Sequence, residues 1–295
     1  MKALQKLQLR YGSGEGRALY ELILGERFGL SRTDILLGKD TTLSAEEQAE
    51  LQIIIDRVAY GEPVQYVLGH EEFCGRTFLV GPGVLIPRPE TQQLVELVKQ
   101  NVAPGSSVLD VGTGSGCIAI SLALAGYKVT ALDVSDVALS FARRNAERLG
   151  AKLEFVKGDI KAPSPLPLWG SASEAKRFAA WTLPQRGSRR GLSAIVSNPP
   201  YICESEASTM DANVLDHEPH LALFVPDDDP LLFYRAIADF GQEHLTNGGQ
   251  IFFEVNRAYA EQVAELLQKK GYEEAQVEKD EYNNNRFVWA RKIQD

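Results

Sequence analysis

The run Val108-Leu109-Asp110-Val111, followed at once by Gly112-Thr113-Gly114-Ser115-Gly116 and then by Cys117-Ile118-Ala119-Ile120-Ser121-Leu122-Ala123-Leu124, constrains this chain more than any other segment. A short apolar run closed by glycines and followed by a longer apolar one predicts strand, tight turn and helix. Glycines there let the backbone turn sharply and let a ligand approach it closely. Their spacing, G-x-G-x-G, departs from the G-x-G-x-x-G of dinucleotide sites, so a pyrophosphate clamp is not the natural inference. Beyond Pro104-Gly105 the alternation continues, with strands predicted at 108–111, 129–132, 153–157, 192–197, 249–255, 274–279 and 286–291. The helix after Asp133 is marked by Ser135 as N-cap, by Leu139, Ala142, Ala146 and Leu149 on one face and by Gly150 as its stop. Together these predict an α/β domain built on a seven-stranded, mainly parallel sheet.

Two further features sit at predicted strand ends. The strand Val129-Thr130-Ala131-Leu132 ends in Asp133, about 20 residues beyond the first glycine, where a carboxylate can accept both hydroxyls of a ribose. The strand Ala194-Ile195-Val196-Ser197 ends in Asn198-Pro199-Pro200-Tyr201. Two prolines remove two backbone donors, and Pro200 pushes Pro199 towards an extended conformation, so this loop offers acceptors with few competing donors. A substrate –NH2 can give one hydrogen to the Asn198 side-chain oxygen and the other to the Pro199 carbonyl, with the Tyr201 ring over its flat face. The plainer alternative is an ordinary turn after a strand, since Asn-Pro starts many turns.

Bulk properties narrow the class. With 295 residues, 44% hydrophobic and 24% charged, the chain reads as a soluble globular protein of two domains. No apolar stretch approaches a membrane span and the N-terminus lacks a secretion signal, so the expectation is a cytoplasmic protein with no membrane partner. The three separated cysteines, Cys74, Cys117 and Cys203, suit a reducing compartment and read as small buried residues. Four histidines, with Pro219 between His217 and His220, predict no metal site. A net charge of −9 disfavours stable nucleic-acid binding.

Residues 1–70 read as a helical bundle, from Leu51, Ile54, Ile55 and Val58 at helical spacing behind the capping box Ser44-Ala45-Glu46-Glu47, and from a second face at Leu19, Leu22 and Ile23. From Glu72 to Ile86 two strand-like runs flank Gly81-Pro82-Gly83 and predict a β-hairpin. Pro87 and Pro89 stiffen the entry to a helix beginning near Glu90, with Leu94, Leu97 and Val98 on one face. The domains expected are thus 1–70 helical, 71–89 a β-hairpin connector and 90–295 the α/β domain. The Pro-, Ser- and Gly-rich segment 161–191 reads as a mobile insertion.

In chain order, glycine turn, acid at a strand tip and amino-group cradle resemble the S-adenosylmethionine-dependent methyltransferases. Gly61-Glu62-Pro63-Val64-Gln65-Tyr66-Val67-Leu68-Gly69, Glu72-Phe73, Val84-Leu85-Ile86-Pro87-Arg88-Pro89-Glu90-Thr91 and Glu218-Pro219-His220-Leu221-Ala222-Leu223 narrow the resemblance to the release-factor glutamine methyltransferases, the PrmC/HemK family. Three segments depart from the family pattern: Gln92 in place of a second Glu, the longer connection between Asp159 and Leu192, and Asn283-Asn284-Asn285-Arg286 before the last strand.

The resemblance implies a Rossmann-like methyltransferase that moves a methyl group from S-adenosyl-L-methionine, leaving S-adenosyl-L-homocysteine, to the glutamine amide nitrogen of the Gly-Gly-Gln motif in class 1 peptide chain release factors. It implies that the N-terminal domain helps to recognise the protein substrate. Gly112, Thr113, Gly114, Ser115 and Gly116 would lie against the cofactor's methionine and ribose, Asp133 would hold the ribose hydroxyls, Asp159 with Ile160 would frame the adenine, and Asn198 would border the cofactor as well. The alternative for Asp159 is a turn residue after Gly158, with the adenine role preferred. Asn198 and Pro199 would be catalytic, and Asn198, Pro199, Pro200 and Tyr201 would hold the substrate. The rival activity is a DNA adenine amino-methyltransferase, whose flipped base fits the same cradle; a catalytically silent cofactor-sensing module is the rival from another class. The chain's own Gly248-Gly249-Gln250 reads as a turn before the strand Ile251-Phe252-Phe253, with no self-methylation expected.

Overall fold

A computed structural model describes residues 3–162 and 191–293. In chain order the helices and strands are α1 (Ala3–Phe28), α2 (Arg32–Leu36), α3 (Ala45–Ala59), α4 (Val64–Leu68), β1 (His70–Phe73), β2 (Arg76–Leu79), α5 (Thr91–Asn101), β3 (Ser107–Val111), α6 (Cys117–Leu124), β4 (Lys128–Asp133), α7 (Asp136–Leu149), β5 (Glu154–Lys157), β6 (Leu192–Ser197), β7 (Ile202–Cys203), α8 (Ala212–His217), β8 (Phe224–Val225), α9 (Leu232–His244), β9 (Leu245–Glu254), α10 (Ala260–Lys269), β10 (Tyr272–Lys279) and β11 (Asn285–Lys292). The described residues fall into two compact units: one holds the chain up to Glu71 with 80–82 and 210–218, the other holds the remainder. The expected insertion, with Trp169, Trp181 and Arg186 to Arg190, lies almost wholly outside the described residues.

The first unit is helical. Ser44 accepts from the Glu47 amide while the Glu47 carboxylate accepts from the Ser44 amide, the capping box read from the sequence, and α3 buries Leu51, Ile54, Ile55 and Val58. These pack with Leu7, Tyr20, Ile23 and Leu24 of α1 and Val64 of α4. Of the expected α1 face, Ile23 is buried and Leu19 packs against this core, but Leu22 is 42% exposed, and Tyr20 and Leu24 are buried as well.

The second unit is a three-layer α/β/α domain around one seven-stranded sheet, in the order β10-β11-β9-β6-β3-β4-β5. The pairs β9–β6, β6–β3, β3–β4 and β4–β5 are parallel, and β11 is antiparallel to both β9 and β10. Alternation along each strand assigns side chains to opposite faces. Val108, Ala194, Val196 and Phe252 pack with Leu94, Val95 and Val98 of α5 and with α6. Leu109, Ile195, Ile251 and Phe253 pack with Tyr234, Ile237 and Phe240 of α9 and Val263 and Leu267 of α10. The chain winds outward from β3 through β4 to β5 on one side, and through β6 to β9 on the other. The order therefore reverses between β3 and β6, and a ligand crevice belongs at their carboxyl ends.

Three local readings change. The hairpin is β1–β2, and its turn is Cys74-Gly75, both at positive φ (49° and 66°), not Gly81-Pro82-Gly83. A two-residue turn with φ > 0 at both positions matches strand twist, and the Gln92 side-chain oxygen accepts from the Cys74 amide to hold it. Cys74 is accordingly half-exposed, whereas Cys117 and Cys203 are buried. Gly248-Gly249 lies within the span of β9, where Gly248 has φ 73° and residues 246–249 stand opposite the single Ser193, a break in the β6–β9 register. A bulge absorbs the glycines, and Gln250 is sealed within the sheet.

Gly116, at φ 83°, precedes α6 where an added Cβ would lie 2.9 Å from Ile120 Cδ1 and 3.2 Å from Ala142 Cα. Gly105 has nearly the same φ, 82°, with open space around it. Gly105→Ala is expected to cost about 1–2 kcal/mol of left-handed strain alone. Gly116→Ala should cost about 1–3 kcal/mol more from overpacking. Urea denaturation of both variants checks the order.

Candidate functional site

The glycine turn leaves β3 with Gly112, Gly114 and Gly116 all at positive φ (73°, 56° and 83°), a path that side chains with a Cβ adopt at a cost. Gly112 and Thr113 amides donate to the Leu132 carbonyl at 2.8 and 3.0 Å, so the turn folds over the end of β4. The Thr113 hydroxyl donates to Asp110 at 2.7 Å. Asn145 of α7, fully buried, gives its amide hydrogens to the Ser115 and Leu79 carbonyls and accepts from the Leu79 amide, which ties the turn to β2.

Asp133 ends β4. Its two oxygens accept from the Gly114 amide and the Ser135 amide, each at 2.9 Å, which fixes the carboxylate at the mouth of the turn. Burial raises its pKa, and the backbone amides of Ser135, Gly114 and Val134 oppose the rise. Asp110, beneath the turn, is fully buried and its pKa is pushed up to about 7 by burial, against the Thr113 hydrogen bond.

At the end of β6, the Ser197 hydroxyl donates to the Val111 carbonyl at 2.7 Å and locks this strand end to that of β3. Asn198 follows. Its side-chain nitrogen donates to Thr91 Oγ1 at 3.3 Å, and Thr91 Oγ1 donates to Glu254 Oε2 at 2.7 Å. Glu254, at the end of β9, also accepts from the Tyr201 hydroxyl at 3.2 Å. It is wholly buried, and burial pushes its pKa up to about 7 against the pull of Thr91 and Arg286.

These strand ends enclose a cavity of about 320 Å³, within the range of small-molecule sites. Of the residues expected from the sequence, Gly112, Gly114, Asp133, Asp159, Ile160, Asn198, Pro199 and Pro200 all line it. Thr113, Ser115 and Gly116 do not: Thr113 is spent on Asp110, and Ser115 and Gly116 are packed beneath the turn. Asp159 carries both of its readings, because its Oδ1 accepts from the Lys161 amide as a turn residue while it borders the cavity. Tyr201 departs from expectation. It is not among the cavity-lining residues; its ring packs against the core and its hydroxyl needs the buried Glu254 as acceptor. Val84, Leu85, Leu221, Phe233 and Ile237 add an apolar wall that no sequence signal had tied to the site.

The cavity is thus bordered by the Asp133 carboxylate, by open backbone at the glycines, by an apolar wall, and by the Asn198 amide with its following prolines. That suits a nucleoside-bearing ligand beside an amino group.

Known proteins resemble this chain over most of its length. The PrmC N-terminal domain family matches residues 2–69, and the family described as methyltransferase domain matches residues 108–172. The release factor glutamine methyltransferase of Bacteroides thetaiotaomicron is 44% identical over 98% of this chain and 97% of its own length. That of Flavobacterium psychrophilum is 36% identical over 97% of this chain and 95% of its own. Among solved structures, a methyltransferase from Pyrococcus furiosus covers 85% of this chain and 100% of its own, at 18% identity and a TM-score of 0.51, a likeness of fold.

Asp110 makes a testable contribution to stability. Its folded pKa lies above the ordinary carboxylate value, so the folded state binds the extra proton. The stability this confers is complete below about pH 4 and is lost as pH rises to about 7. Asp110→Asn removes that slope. Denaturant unfolding between pH 4.5 and 7.5 is expected to show the variant gaining on the wild type as pH rises.

Proposed function

This chain belongs to the release factor glutamine methyltransferase family, and on that premise we propose that its cavity holds S-adenosyl-L-methionine beside the glutamine amide of a release-factor Gly-Gly-Gln motif. The observation that carries the reading is the meeting of Asp133, the glycine turn and Asn198-Pro199 at one cavity. The residues fit the cofactor: Asp133 retains lone pairs for ribose hydroxyls, Gly112 and Gly114 present backbone with no side chain in the way, and Ile160 supplies an apolar edge for a base. When bound, S-adenosylmethionine supplies a methyl carbon made electrophilic by a positive sulfonium.

The protein's task is then orientation. A carboxamide nitrogen is a weak nucleophile, because its lone pair is delocalised into the carbonyl. Asn198 Oδ1 and the Pro199 carbonyl accept its two hydrogens, which aims the nitrogen and stabilises positive charge growing there. Fixed geometry of this kind contributes about 7–11 kcal/mol in well-aligned reactions. No general base is required, since the methylated nitrogen is acidic enough to release its proton to water. Class 1 release factors act in the cytoplasm, and the helical first unit is the proposed recognition domain. Among the described residues no helix is long and apolar enough to cross a membrane.

Incubation with S-adenosylmethionine and a purified release factor, followed by peptide mass spectrometry, should place one methyl group on the motif glutamine and none on a DNA duplex offered in parallel. Asn198→Ala is expected to lower turnover by at least 100-fold, about 2.7 kcal/mol on the scale of one lost oriented contact. Calorimetry should find its cofactor affinity within about threefold of wild type. Asp133→Ala is expected to reverse that pattern and weaken cofactor binding at least tenfold, about 1.4 kcal/mol.

A further inference from the structure

We propose that Thr91 and Glu254 are positioning residues that set which end of the Asn198 amide faces the cavity, an inference that rests on the methyl-transfer reading above. A threonine hydroxyl has one hydrogen. Here it goes to Glu254 Oε2 at 2.7 Å, within a site where Thr91 is 2% exposed and Glu254 is fully buried. With its hydrogen committed, Oγ1 can act towards Asn198 only as an acceptor. The neighbouring end of the Asn198 amide is therefore the nitrogen, at 3.3 Å, and the oxygen is turned away from Thr91. That leaves Oδ1 for an incoming amino group.

The reverse orientation would present an –NH2 to an –NH2. A protonated or absent carboxyl at position 254 permits it, because Thr91 is then free to donate to Oδ1. The three groups lie far apart in sequence, on the first turn of α5, the end of β6 and the end of β9, and strand pairing between β6 and β9 brings two of them side by side. Glu254 Oε1 accepts from the Tyr201 hydroxyl at 3.2 Å and Oε2 from Thr91, so both carboxylate oxygens are held, while Tyr234 donates to the Glu254 backbone carbonyl at 3.2 Å. The charges that bear on it are Arg286, which favours its ionised form, and Glu90, which opposes it. Tyr201 thus serves the site from behind, through Glu254.

The test uses the full chain and three variants: Thr91→Val, which keeps shape and removes the hydroxyl; Thr91→Ser, which restores it; and Glu254→Met, which replaces a buried carboxyl by an apolar side chain of similar size. Thr91→Val and Glu254→Met are each expected to lower kcat at least tenfold towards the release factor. S-adenosylhomocysteine affinity by calorimetry should stay within twofold, and Thr91→Ser should keep at least half of the wild-type kcat. A second readout needs no turnover. The Asn198 side-chain NH2, assigned in the NMR spectrum by its disappearance in Asn198→Asp, should exchange with solvent at least tenfold faster in Thr91→Val and Glu254→Met than in wild type or Thr91→Ser. Should Thr91→Val fail to fold, Glu254→Met decides alone. Wild-type kcat and exchange in Glu254→Met would overturn the proposal, as would equal losses of kcat and homocysteine-cofactor affinity in Thr91→Ser. A wild-type protein that leaves the release factor unmethylated would instead defeat the functional reading, while the exchange measurement would still decide the orientation of Asn198.

Discussion

Everything at the site depends on the parallel pairing of β3 with β4 on one side and β6 on the other. Val111 lies opposite Leu132 and Ser197 in register, so the residues that follow each strand emerge at one edge of the sheet. The glycine turn, Asp133 and Asn198 are brought together by backbone hydrogen bonds deep in the core, well before any ligand arrives. The Ser197 hydroxyl on the Val111 carbonyl adds a side-chain lock at the rim. A parallel strand slipped by one residue would turn its side chains to the opposite face and separate the acid from the amide.

On this frame the two halves of the cavity have different physical characters. Around Asp133 the protein offers backbone amides and a carboxylate already anchored by two of them, an arrangement that accepts hydroxyls with little reorganisation. Around Asn198 it offers oxygen acceptors in a stretch where prolines have removed the donors. One cavity thus carries both a carboxylate and an amide with adjoining prolines, the two chemistries that the proposed reaction uses.

Much of this was legible in the sequence because it is local. The β3 run, the glycine turn and the apolar run of α6 are contiguous, and the positive φ angles at Gly112, Gly114 and Gly116 are what their spacing suggested. The capping box of α3 and the Ser135 cap of α7 were likewise written in a few neighbouring residues. What escaped is non-local. Thr91 and Glu254 are 163 positions apart, and nothing in either segment announces the other. Tyr201 stands next to the prolines and looked like part of their surface, yet a phenol seeks an acceptor, and the one it meets is the buried Glu254 at the end of β9. The glycines at 81–83 and 248–249 resembled turns, but the tighter Cys74-Gly75 pair took the hairpin and a bulge in β9 absorbed the second pair.

The most direct measurement of the central claim is a crystal structure of the protein with S-adenosylhomocysteine and a peptide carrying Gly-Gly-Gln. The account predicts the cofactor's ribose on Asp133 and the glutamine nitrogen within about 3.2 Å of both Asn198 Oδ1 and the Pro199 carbonyl. A glutamine amide bound elsewhere, or an Asn198 that presents its nitrogen to the ligand, would contradict it.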